Sequence, residues 1–300
     1  MKKEISNLSQ ITYIREYTIT SNSEKGVDVI ELVNENYRVL LNKTKALDIM
    51  QMYYKGMNLC FISKNGFSTR TDHFLKRFEG GMLYTVGLDT AGDRPGFEFH
   101  GTLHHLIPNV YVTRCDEEEI VVEASLKDGA LFGKNLVLYR KYVLTKNGLT
   151  LEDRLVNEGT IDEEYCMLYH NNLGYPLLDK GCLIEADFDS INPRTEWAKQ
   201  HVQDIKNVSE AIDNQFEYCY FTKLKKNDVS LINKEKKIKF NFSYTSDDLN
   251  NFILWESMKT QDYAVGFEPS TTLLDDKFKL SPIKAKESKL NKFTYKVIEL

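Results

Sequence analysis

A chain of 300 residues, 42% hydrophobic and 28% charged, has ordinary globular composition and enough apolar material for a large core. Its net charge of -5 gives no broad basic field, which argues against nucleic acid as a partner, and the lysine-rich stretches at 223–226 and 234–239 read as solvated strands or turns. No apolar run is long enough to span a bilayer, and Met1-Lys2-Lys3-Glu4-Ile5-Ser6-Asn7 is not followed by the apolar run of a secretory signal.

Strand signals begin with the alternation of 37–41. A short helical piece is predicted over Lys43–Met52 and a turn at Lys64-Asn65-Gly66. Strands are predicted over 120–124 and 136–144, with turns at Lys127-Asp128-Gly129 and Lys146-Asn147-Gly148. The second turn places Asn-Gly between alternating segments, which predicts a hairpin returning through Thr150–Asn157. Further short strands are predicted over 182–188, 216–224, 228–232, 237–244, 252–255, 263–267 and 293–300, and a second helical piece over Glu196–Ile205. Many antiparallel strands without a βαβ rhythm define an all-β fold, a large antiparallel β-sandwich with few short helices. No repeat and no Pro/Gly/Ser linker divides the chain, so residues 1–300 read as one domain. The five cysteines, Cys60, Cys115, Cys166, Cys182 and Cys219, are odd in number and form no C-x-x-C pair. They read as buried free thiols of a cytoplasmic protein.

Three segments interrupt the strand pattern and collect polar groups beside glycines: Arg77-Phe78-Glu79-Gly80-Gly81 through Gly87-Leu88-Asp89 to His100-Gly101-Thr102-Leu103-His104-His105; Tyr169-His170-Asn171-Asn172-Leu173-Gly174-Tyr175-Pro176-Leu177-Leu178; and Val265-Gly266-Phe267-Glu268-Pro269-Ser270-Thr271. Four of the six histidines fall in the first two, and imidazole is the side chain suited to proton transfer near neutrality. A metal site on His100 and His104 is the sharper rival, but glycine follows His100 where a zinc-protease motif has glutamate, and Gly101 and Pro108 weaken a helix there. No metal and no cofactor is expected. The stretch after Asn192-Pro193-Arg194, roughly 195–214, reads as a surface excursion, with a flap over a cleft or a partner contact as the alternative.

As an ordered set these markers resemble the aldose 1-epimerase (galactose mutarotase-like) superfamily, and most closely its relatives of unknown function, over nearly the whole chain. The resemblance implies large antiparallel sheets packed face to face with a sugar across a concave face. It implies Glu268 as the carboxylate base and His170 as the acid, with His100 and Arg77 holding and polarising the sugar. Asn172 belongs to the same motif, and Tyr175 and Trp255 are candidates to stack on the ring. Each has a plainer reading: a solvated strand-end carboxylate for Glu268, a core histidine for His170, a surface pair with Glu79 or Asp72 for Arg77, and core packing for the aromatics. The acidic residue that galactose mutarotases set against sugar hydroxyls finds no match here, Trp255 and Glu256 falling in its region. The implied activity is interconversion of sugar anomers by acid–base ring opening and closing, with a small carbohydrate as partner. A non-catalytic sugar-binding or sensing protein, or an epimerase for a phosphorylated or acidic sugar, are the alternatives. A homodimer is compatible with the sequence.

Overall fold

The structure is a computed structural model and describes residues 3–300. Its strands are β1 (Tyr13–Thr18), β2 (Asp28–Val33), β3 (Tyr37–Asn42), β4 (Ile49–Tyr54), β5 (Met57–Asn58), β6 (Tyr84–Leu88), β7 (Asn109–Cys115), β8 (Glu119–Gly129) and β9 (Asn135–Thr145). They continue as β10 (Gly148–Asn157), β11 (Glu163–Gly174), β12 (Leu183–Pro193), β13 (Tyr218–Asn233), β14 (Ile238–Ser246), β15 (Asn251–Lys259), β16 (Asp262–Ser270), β17 (Ser281–Ile283) and β18 (Ser288–Glu299). Two short helices, α1 (Phe74–Arg77) and α2 (Glu196–His201), interrupt them.

The first five strands form one antiparallel sheet and the rest a 13-stranded sheet ordered β17-β11-β16-β15-β13-β14-β18-β10-β9-β8-β7, with β6 paired to β11 and β12 to β13. The all-β architecture read from alternation is therefore the one observed. The hairpin falls where Asn147 predicts it, Thr145 pairing with Gly148, and Glu196–Ile205 opens with α2, its Thr195 side chain accepting from the Ala198 N–H. Among the described residues no helix is long and apolar enough to cross a membrane.

Three local expectations are corrected. Lys43–Met52 is not helical: Asn42 accepts from the Thr44 and Lys45 N–H groups, Ala46 and Leu47 turn at φ 51 and 54, and β4 follows. That turn is held from afar, because Ala46 N–H donates to the Leu106 carbonyl and Tyr142 donates to the Leu47 carbonyl. Lys127–Gly129 lies inside β8, the turn coming just after it. Finally, the strands predicted over 216–224 and 228–232 merge, from Tyr218 onward, into one 16-residue strand, β13, which pairs with β15 at Tyr218–Thr222 and with β14 at Asp228–Asn233.

Side chains along β11 alternate between two apolar clusters. Tyr165, Met167 and Tyr169 enter the main core with Phe252, Leu254 and Phe267, whereas Cys166 and Leu168 join a second cluster with Phe74, Tyr84, Cys219, Phe221 and Ile253. The second cluster lies on the sheet face that carries the site.

Candidate functional site

Strands β11 and β16 run antiparallel with Leu168 against Ser270 and Asn171 against Phe267. That register sets His170 across from Glu268, on the face of Leu168. The His170 Nε2 and Glu268 Oε1 atoms are 3.1 Å apart and both side chains are buried. Three aromatic rings surround the imidazole: Trp255 at 5.4 Å, Phe78 at 5.8 Å, and His100, perpendicular, at 6.4 Å. Glu268 leans back over Gly266, where an added Cβ would stand 2.6 Å from its Oε1 and 3.2 Å from the His170 ring. A side chain at 266 would evict the carboxylate, so the glycine before Phe267 is a packing requirement of the pair.

The wall of the site comes from the first polar segment. His100 sits at φ 66, its Nδ1 accepts from the Gly92 N–H at 3.2 Å, and its ring stacks on Phe99 at 4.6 Å. An accepting Nδ1 puts the proton of the neutral ring on Nε2. Arg77 ends α1 and is buried, donating to the Tyr84 hydroxyl at 2.9 Å and to Glu98 at 2.7 Å. Its carboxylate partner is thus neither Glu79 nor Asp72. Asn172 uses its amide N–H groups on the Gly81 and His170 carbonyls, a structural brace for the strand.

At the rim, the Trp255 indole donates to Glu217 at 2.6 Å, and the other Glu217 oxygen accepts from Arg194 at 3.0 Å. Arg194 also donates to Asp275 at 2.9 Å. Glu217 is thus an acidic group held beside Trp255, in the region where the sequence offers Glu256. Glu256, the alternative, occupies the other face of β15, opposite Tyr218 and Val265. No motif surrounds Glu217 and only the fold brings it to Trp255. Tyr175 stands apart: it follows the end of β11, is 67% exposed, and lines shallow depressions with Asp179, Lys180 and Tyr263.

Burial governs the protonation of the pair. It raises the Glu268 carboxyl well above its ordinary range, with the Glu217 charge adding and Arg194 opposing. It pushes His170 down to about 3, the neighbouring Asn172 amide opposing, and His100 down to about 3, helped by the charges of His170, Arg77 and Arg194. Buried polar atoms without a hydrogen-bond partner gather here: His170 Nδ1, Glu268 Oε1, Asn172 Oδ1 and Arg77 Nε. Such unmet capacity is uncommon in a folded interior and is what a polar ligand would satisfy. Among the described residues no group of three or more His, Cys, Asp or Glu side chains is arranged to hold a metal ion.

A very large antiparallel sheet with few short helices defines the galactose mutarotase-like fold, and the solved structures agree. A "putative aldose 1-epimerase" of Klebsiella pneumoniae superposes with a TM-score of 0.84 at 17% identity, covering 95% of this chain and 83% of that one. A galactose mutarotase-like protein of Clostridium acetobutylicum gives 0.75 at 15% identity over 97% and 100% of the two chains. Galactose 1-epimerase of Lactobacillus acidophilus gives 0.66 at 14% identity over 96% and 99%. At these identities the likeness is one of fold. Residues 24–284 match the family described as a domain of unknown function, DUF4432, and the chain belongs to that family. No curated protein matches the sequence.

Proposed function

We propose that this cleft interconverts the anomers of a free, uncharged aldose by acid–base ring opening. The observation that carries the reading is the buried Glu268–His170 pair, 3.1 Å apart across two strands. The two sugar oxygens that must exchange protons, the C1 hydroxyl and the ring oxygen, are bonded to the same carbon. A base and an acid that serve both must therefore be neighbours.

In the reactive form Glu268 is a carboxylate and His170 an imidazolium. Glu268 takes the C1 hydroxyl proton, His170 Nε2 delivers a proton to the ring oxygen, and the C1–ring oxygen bond breaks to give the open-chain aldehyde. Rotation about C1–C2 and the reverse transfers close the ring with the other configuration. Opening thus leaves a neutral carboxyl and a neutral imidazole, the forms that burial favours. Two protons move, one from the sugar to Glu268 and one from His170 to the sugar, so the pair changes form without the cleft gaining charge. His100 and Arg77 orient and polarise the sugar in this reading, and Glu217, Arg194 and Trp255 meet its outer hydroxyls and apolar face.

The balance of charge favours a neutral sugar over a phosphorylated or acidic one. The two arginines nearest the pair, Arg77 and Arg194, are already paired with Glu98, Glu217 and Asp275, so neither is free to meet a phosphate or carboxylate. The test is polarimetry or NMR exchange on a panel of free aldoses with the spontaneous rate subtracted. Glu268→Gln keeps shape but removes the base, so the catalysed rate falls about 10²–10⁴-fold while sugar binding is largely retained. Sugar binding without any wild-type rate above the spontaneous one would replace the enzyme with a binding protein.

A further inference from the structure

Behind the wall that carries Arg77, six buried ionisable side chains form one connected cluster: Lys45, Asp48, Glu79, His104, Arg140 and Asp153. Arg140 donates to both oxygens of Asp153, at 2.9 and 2.7 Å, and to Asp48 Oδ1 at 2.7 Å. The other Asp48 oxygen lies 2.8 Å from His104 Nδ1, and His104 Nε2 is 3.5 Å from Glu79 Oε1. Glu79 Oε2 accepts from Lys45 at 2.9 Å. Thr85 donates to Asp48 and Asn42 to Glu79, completing the shell.

Asp48, Glu79 and Asp153 supply three negative charges, and Lys45 and Arg140 supply two positive ones. An uncompensated charge in this interior costs several kcal/mol. His104 is the third cation that balances the set. Its geometry says the same: each ring nitrogen faces a different carboxylate, and a neutral imidazole, with one N–H, would turn a lone pair towards one of them. Burial opposes the charged ring, but the Asp48 and Glu79 carboxylates beside its two nitrogens outweigh it and raise the imidazole. His105, 6.0 Å away, is driven the other way, to about 4, chiefly by burial.

The flat face of His104 stacks on Tyr84 at 3.8 Å and 22°, and the Tyr84 hydroxyl accepts from Arg77 Nη1 at 2.9 Å. We infer that His104 is a standing imidazolium and a positioning residue, fixing the plane of Tyr84 so that Tyr84 aims Arg77 into the cleft. The value of aiming Arg77 rests on the sugar-cleft reading; the charge state and the contact chain do not.

Two kinds of measurement separate these. In imidazole nitrogen NMR of the wild type, His104 shows both ring nitrogens protonated at pH 7 and beyond; a neutral tautomer at pH 7 overturns the proposal. In guanidinium NMR the Arg77 Nη1 and Nη2 signals are distinct. Tyr84→Phe, which keeps the stacked ring and deletes the hydroxyl, speeds their exchange about tenfold, the scale of losing one hydrogen bond to a charged group. His104→Gln moves the Arg77 signals the same way. Arg77 signals unaltered in Tyr84→Phe, or unaltered in a folded His104→Gln, overturn the inference; if His104→Gln does not fold, Tyr84→Phe and the wild-type titration decide. Mutarotation assays on D-galactose then test the cleft separately: Tyr84→Phe raises KM about tenfold with kcat within about threefold. An equal loss in kcat would overturn the positioning role, while a wild type without activity on any member of the aldose panel would refute the epimerase reading and leave the spectra to decide this one.

Discussion

Two regions of the molecule bury ionisable groups, and they do so in opposite ways. The cluster around Arg140 pairs its cations with carboxylates by contacts of 2.7–3.5 Å. Although burial pushes Asp48 and Glu79 up, their partners hold both below the ordinary carboxylate range. The Glu268–His170 pair is buried as deeply but leaves Glu268 Oε1 and His170 Nδ1 without hydrogen-bond partners, and burial drives both groups to their neutral forms. His104 Nε2 in the first cluster is also without a hydrogen-bond partner, so the contrast between the two regions lies in the form that burial leaves, ionised carboxylates in the first and a neutral pair in the second.

The largest expected effect would break the first region and spare the second. Arg140→Met removes the cation between Asp48 and Asp153 and leaves two buried carboxylates facing each other's surroundings unpaired, which costs about 3–5 kcal/mol. Glu268→Gln, by contrast, removes a carboxyl that burial already disfavours, so its stability stays near or above that of the wild type. Denaturant midpoints of both variants measure the contrast. An Arg140→Met loss under about 1 kcal/mol would mean that the cluster is not held by its charges.

A third buried carboxyl sharpens the comparison through pH. Glu256, on the core-facing side of β15, has an unpartnered Oε1 and is pushed up to about 8 by burial. Its folded pKa exceeds its unfolded one. Its contribution is therefore fully present below about pH 4.5 and lost as pH rises through about 8, at most about 1.4 kcal/mol per pH unit. Glu256→Gln removes that slope. His104 and Glu268, also raised, decline in the same direction in both proteins, so the difference between the two stability–pH curves isolates Glu256. Parallel curves from pH 4.5 to 8 would show that the carboxyl finds a partner or water.

The sequence carried the strands whose signal is local and the site residues whose motif is local. Asn147-Gly148 marks its hairpin because the turn chemistry lies within the turn. The segment 43–52 was misread as helix because its left-handed turn is secured by Leu106 and Tyr142, neither of which its own sequence announces. Glu268, His170 and His100, each in a different one of the three polar segments, lie together, and Trp255, named only as an aromatic candidate, packs against the His170 ring. Tyr175 does not join them, since the last four residues of β11, at about 3.3 Å each, carry the chain away from His170 before Tyr175 leaves the strand. Glu217 was invisible for the opposite reason: its place beside Trp255 is created by pairing of β13 with β15, a contact across nearly forty residues of chain.

The smallest expected effect tests how closely the site is fitted. Gly266 has an ordinary extended conformation, so alanine there meets no backbone penalty, only crowding: Glu268 Oε1 at 2.6 Å, the His170 ring at 3.2 Å and Trp255 Cβ at 3.3 Å. The nearest of these is the end of a side chain that can swing, so Gly266→Ala should cost only about 1–2 kcal/mol of stability, at the lower end for overpacking. The displacement falls on the Glu268 carboxyl, so sugar binding or turnover should suffer more than the fold does. Combining Gly266→Ala with Glu268→Ala removes the clashing group, and the two stability changes should then fail to add by about 0.5–1 kcal/mol in the direction of relief. Strict additivity, or a Gly266→Ala protein with full sugar binding and unaltered stability, would show that the carboxyl does not lean over Gly266 in solution.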